Sequence, residues 1–140
     1  MKNFILLSVF ALVLIGAGSQ TSKAQQAKRL DSAPGAFQTF FARFKTAIER
    51  NDKTAVATMT RFPFRYGFDA GDEGTMTRAQ FVKRFTEIFG KSPKQFLTEK
   101  NPLFSIGDDG SYTVSTNEAA HLSFVKSGSG FKFAAFIVEP

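Results

Sequence analysis

Phe37-Gln38-Thr39-Phe40-Phe41-Ala42-Arg43-Phe44-Lys45-Thr46-Ala47-Ile48 decides the first element of this chain, and Phe62-Pro63-Phe64-Arg65-Tyr66-Gly67-Phe68 decides what it lies against. In the first stretch Phe37, Phe40, Phe41, Phe44 and Ile48 recur at helical spacing and share an arc of about 100°. The opposite face carries Gln38, Arg43, Lys45, Glu49 and Arg50. Four aromatic rings on one stripe need a large apolar surface opposite them, which predicts a sheet. In the second stretch Phe62, Phe64, Tyr66 and Phe68 alternate with Pro63, Arg65 and Gly67, the period of a strand with one aromatic face. Pro63 cannot donate to a ladder and fits a strand start or an edge. Between the two, Asn51-Asp52 ends the helix, and Asp52 is placed to cap a short second helix whose inward residues are Val56 and Met59.

Downstream, Asp69 to Gly74 reads as an acidic, glycine-bearing turn. A calcium loop counted from Asp69 would need ligands at Gly71 and Gln80, which supply neither a side-chain oxygen nor a bidentate carboxylate. Thr77-Arg78-Ala79-Gln80 is a capping box, and the helix it opens carries Phe81, Val82, Phe85, Ile88 and Phe89 on one side. Gly90 closes that helix and Pro93 prevents its continuation. The remainder reads as strands: Phe96-Leu97, Leu103 to Ile106, Tyr112 to Thr116, Ala120 to Lys126 and Phe131 to Val138. Asp108-Asp109-Gly110 and Ser127 to Gly130 are the turns. The last strand is apolar on both faces, Phe131, Phe133, Ala135 and Ile137 against Lys132, Ala134, Phe136 and Val138, which predicts cover on both sides.

Upstream, residues 1–24 read as a cleavable signal peptide. Lys2 is its basic start, and Phe4 to Ala17 is an apolar run of 14 residues, shorter than the roughly 20 a spanning helix needs. Ser22-Lys23-Ala24 sets small residues at the third and first positions before a cut. The expected product is secreted or periplasmic, without a membrane segment after cleavage. Residues 25–36 read as a flexible lead-in and 37–140 as a single domain. Loss of Lys2 and Lys23 takes the formal charge from +6 to +4, and the remaining basic residues are scattered, which argues against a nucleic-acid partner. The chain has no cysteine, so disulfides and thiolate metal sites are excluded.

The element order, together with Ala47-Ile48-Glu49-Arg50-Asn51-Asp52, Phe62-Pro63-Phe64 and Gly130-Phe131-Lys132-Phe133, resembles the nuclear transport factor 2-like superfamily, in particular its small secreted bacterial members. The resemblance runs from about Phe37 to Val138. It implies an α+β cone in which a curved antiparallel sheet wraps a long N-terminal helix, with two further helices and a pocket between helix and sheet. The superfamily includes ketosteroid isomerases, polyketide cyclases, dehydratases and many binding domains without activity, so fold alone does not choose a function.

Phe41, Phe44, Phe64, Tyr66, Phe85 and Phe133 are the candidate lining of such a pocket, with a small apolar molecule as candidate ligand. The 18 phenylalanines are explained first by packing. The reading preferred is a non-catalytic binding or interaction domain without cofactor or metal. The alternative is a pocket lyase or isomerase in which His121, the single histidine, acts as general base with Tyr66 and Asp69. His121 alternates onto the face opposite Ala120, Leu122 and Phe124, so its direction discriminates the two. A homodimer through the outer sheet face is expected, with Val125, Ala134, Phe136 and Val138 as candidate contacts. Mass spectrometry of exported protein is expected to find a mature start at or within a few residues of Gln25. A retained Met1 in a membrane fraction would overturn the secretion reading.

Overall fold

The computed structural model describes residues 27–68, 71–90, 98, 102–116 and 120–139. Its first long element is α1, Gly35–Glu49, and its aromatic stripe is buried as the spacing predicts: Phe37, Phe41, Phe44, Ala47 and Ile48 all face the core. Asn51, at a positive φ of 54°, ends the turn after α1. Asp52 then caps α2, Lys53–Thr58, by accepting the Ala55 N–H at 2.9 Å. This satisfies one of the amide donors that every helix start leaves unpaired.

The chain next enters β2, Thr60–Phe68, whose inward residue Phe64 is fully buried while Phe62, Tyr66 and Phe68 are packed at the core margin. The Phe62–Pro63 peptide bond is cis. The acidic segment expected to be only a turn supplies a strand, β3, Asp72–Met76, which pairs antiparallel with β2 from Phe64↔Met76 to Phe68↔Asp72. Thr77 and Gln80 form the expected capping box. The helix they open is two short pieces, α3, Arg78–Lys83, and α4, Phe85–Phe89, separated at Arg84. Gly90, with φ 74°, ends the second piece. The strand expected at Phe96-Leu97 lies outside the described residues.

The remaining strands are β4, Leu103–Ile106, β5, Tyr112–Ser115, β6, Ala120–Ser127, and β7, Gly130–Val138. They form antiparallel neighbours in sequence order. The described part of the expected lead-in is not a free tail. Lys28–Arg29 forms a short edge strand, β1, on β4, and a single 3-10 turn, Leu30–Ser32, carries the chain to buried Ala33 and into α1. The seven-stranded curved sheet has the order β1-β4-β5-β6-β7-β2-β3. One pairing departs from the antiparallel expectation, since β2 runs parallel to β7. The fold is α+β, with α1 across the concave sheet face and α2, α3 and α4 around its end.

The strict alternation expected in β7 fails at Ala134. Ser123 pairs with Ala135 but Phe124 pairs with Phe133, so Ala134 is an extra residue, a β-bulge. The bulge reverses the faces beyond it. Phe136, expected outside, is buried at 3% exposure, and Val138 packs against the core opposite Ala120. Ala135 and Ile137, expected inside, share the outer-face rows of Ser123 and His121.

The core is built of rings. Phe44 touches Phe133 at 4.9 Å, Phe124 at 5.3 Å and Phe89 at 6.3 Å between centroids, joining α1 to β6, β7 and α4. Phe64 reaches Phe133 at 4.8 Å and Phe81 at 4.9 Å, which ties β2 and α3 into the same cluster. Phe41→Ala is expected to cost about 3–5 kcal/mol, the range for emptying an aromatic core position, from a total of about 5–15 for a domain. A loss below about 1 kcal/mol in denaturant unfolding would take Phe41 out of the core.

Candidate functional site

Of the six residues expected to line a pocket, Phe41, Phe44, Phe64, Phe85 and Phe133 belong to one aromatic cluster and Tyr66 stands at its margin. Phe44, Phe64, Phe85 and Phe133 are fully buried and Phe41 is 4% exposed. Phe41 and Phe44 are 6.3 Å apart, Phe85 and Phe89 4.8 Å, and Phe89 and Phe133 6.0 Å between ring centroids. These are ordinary distances for packed aromatic pairs.

Tyr66 is the half-buried member, at the rim formed by β2 and β3. Its ring lies along β3, and a Cβ on Gly74 would come within 3.1 Å of its Oη, so the glycine makes room for it. Arg84, from the break between α3 and α4, sets its guanidinium 4.8 Å from the Tyr66 ring centre and 5.9 Å from that of Phe68. The same guanidinium pairs with Glu87 at 2.7 Å and Asp72 at 3.6 Å. Hydrogen bonding to Tyr66 first, and to Glu87 second, holds Arg84 above the usual arginine range. A cation on an aromatic face with two carboxylate partners is a satisfied arrangement that pins β3 to the helices. Sequence reading missed it because Arg84 sits within a helical pattern that runs on across it.

His121 is on the opposite side of the sheet from Tyr66. Tyr66, Phe136 and Leu122 form one row across β2, β7 and β6, and Gly67, Ile137 and His121 form the next. Leu122 is fully buried, so successive residues place His121 outward. Its Nδ1 is 2.7 Å from Ser115 Oγ, its partner across β5 and β6. Its Nε2 is shielded from solvent, makes no hydrogen bond and lies 3.4 Å from Glu139 Oε1. The structure therefore does not bring His121 and Tyr66 to one pocket, and Asp69 lies outside the described residues. Among the described residues no three His, Asp or Glu side chains gather closely enough to hold a metal ion. No described helix is long and apolar enough to cross a membrane.

Of the expected dimer contacts, Val125 is half-buried on the outer face, Ala134 is the bulge residue, and Phe136 and Val138 turn inward. Ile137 takes the outer position instead. It lies over Gly67 of β2, where a Cβ would meet its Cδ1 at 3.1 Å. It shares the outer face with Ser123, Val125 and Ala135, and with the longer side chains of His121, Lys132 and Arg65 in the same rows.

A groove of about 400 Å³ runs outside the core between α1 and α2, and sequence reading assigned it nothing. Arg43, Ala47 and Arg50 of α1 form one wall, with Asp52, Ala55 and Met59 on the other side. Arginines on the polar face of an amphipathic helix ordinarily read as solvated charges, and a groove depends on where the next helix packs.

No family model matches the chain, and no curated protein matches it. Among solved structures it is similar to Aln2 from a Streptomyces species, with a TM-score of 0.49 and 12% sequence identity. That match covers 74% of this chain and 87% of the other.

The two faces of β6 predict unequal sensitivity. Leu122→Ala is expected to cost about 2–5 kcal/mol as a buried truncation, whereas His121→Ala on the outer face is expected to cost no more than about 1 kcal/mol. Urea unfolding of both variants checks this. Equal losses would mean that His121 is not an outer-face residue.

Proposed function

We propose that this chain is a secreted, non-catalytic member of the nuclear transport factor 2-like superfamily that acts as a homodimeric interaction domain. The family reading rests on the element order and on the way the sheet folds around α1. The export reading rests on the basic, apolar and small-residue succession of residues 1–24. The observation that carries the interaction reading is the contrast between the two faces of the sheet. The concave face is filled by the rings of Phe44, Phe64, Phe124 and Phe133, all fully buried. The outer face of β5, β6 and β7 has no described helix across it and presents Thr113, Ser123, Val125, Ala135 and Ile137, each partly accessible.

On the concave side Phe44, Phe64, Phe124 and Phe133 are already packed ring against ring. A partner meeting the outer face displaces only water. The accessible apolar side chains of Val125, Ala135 and Ile137 suit pairing with a second copy about a two-fold axis, where the same patch meets itself. His121, Ser115 and Glu139 would then stand at the edge of that contact.

Sedimentation of the mature protein at micromolar concentration is expected to give a dimer. Ile137→Asp is expected to convert it to a folded monomer, because the carboxylate would be desolvated opposite its symmetry mate. A wild-type protein at monomer mass throughout would overturn the pairing. So would a dimer unchanged by Ile137→Asp and by Val125→Asp.

A further inference from the structure

Arg43 and Arg50 stand seven residues apart on the exposed side of α1, both at the groove between α1 and α2. Seven helical residues correspond to about 10 Å along the axis. Among the described residues neither guanidinium has an ion pair or hydrogen bond. Glu49 pairs with Lys45 at 3.8 Å, and Asp52, which also lines the groove beside Arg50, accepts the Ala55 N–H at Oδ1. Between the two arginines the floor is apolar and low: Ala47, 8% exposed, with half-buried Ala55 and Met59 beyond it.

We propose that this groove binds an acidic, extended peptide segment of a partner protein. Such a segment would have two carboxylates three residues apart and a small apolar side chain between them. The match is one of charge and spacing. A polyproline-type segment repeats every three residues and rises about 3.1 Å per residue, so residues i and i+3 lie on one face about 9 Å apart. Each carboxylate meets one guanidinium in the paired geometry that arginine favours. The intervening side chain rests on Ala47 and Met59. Methionine suits such a floor because its unbranched side chain adapts to different shapes. The inference rests on the interaction-domain reading but not on pairing through the sheet, since none of the groove's lining residues is among the outer-face residues proposed for that pairing.

The test uses a fluorescein-labelled Glu-Pro-Leu-Glu peptide, its Gln-Pro-Leu-Gln counterpart and the mature protein, followed by fluorescence anisotropy at low salt. The acidic peptide is expected to bind at least tenfold more tightly than the amide peptide and to weaken as salt is raised. The double variant Arg43→Glu, Arg50→Glu is expected to lose at least tenfold in affinity, with its melting temperature and sedimentation unchanged because both residues are exposed. In wild-type protein the Met59 methyl and the amides of Ala47 and Ala55 are expected to shift on titration, a readout that does not depend on any variant folding. Equal binding of the two peptides would overturn the proposal. So would shifts confined to other surfaces, or undiminished binding by the double variant. A monomeric protein that still binds through α1 and α2 would separate failure of the dimer from failure of the groove.

Discussion

Everything in this fold depends on the contact of Phe44 with Phe124 and Phe133. At that point α1 crosses β6 and β7, and Phe89 of α4 closes the same cluster from the side. Rings do this well for a physical reason. Each buries a large area, loses only two torsional freedoms, and meets its neighbours edge-on or offset. A chain with no tryptophan and 18 phenylalanines builds its interior from one rigid shape, repeated at different tilts. Phe81 extends the arrangement, touching both Phe62 and Phe64 of β2 at T-shaped angles, so α3 joins the same core.

The bulge at Ala134 is what lets β7 serve that core along its whole length. Without it, strict alternation would send Phe136 to the outer face. With it, Phe131, Phe133 and Phe136 all point inward from one strand, and Ile137 is left outside above Gly67. A bulge also increases local twist and bends the strand, which fits a sheet that must curve around a helix. A second irregularity lies opposite, between Thr60 and Arg65 of β2, where the parallel register with β7 shifts. Neighbouring strands β7 and β2 therefore both depart from regular pairing.

The helices and most strands were legible because each had one apolar face at a clear period. Phe37, Phe41, Phe44 and Ile48 could belong only to a one-sided helix, and Thr77 with Gln80 marked a helix start that the capping geometry matches. The faces of β7 were not legible, because alanine and valine on its second face gave the same apolar signal in either register. Strand β3 was hidden by Asp72, Glu73 and Gly74, residues poor in strand propensity that are held in place by pairing with β2. The interruption at Arg84 was hidden because Phe81, Phe85 and Ile88 keep helical spacing across it. Lys28–Arg29 is too short for any periodic signal. The candidate surfaces were the least legible of all. A groove between two helices and an outer face across three strands are properties of packing, and no single segment carries them.

The described core between α1 and the sheet is built of phenylalanine rings, while polar and cationic side chains lie at the surface, Ser115, His121 and Glu139 in one place and Arg43 and Arg50 in another. These two surfaces share no residue, and pairing through the outer sheet faces would give each dimer two α1–α2 grooves. Two weak charge-dependent contacts on such a dimer, engaging a partner that offers two acidic segments, would reinforce each other through effective concentration and not through any new contact. That arrangement needs no pocket, and a ring-packed core supplies the rigid spacing between the two grooves that it does need.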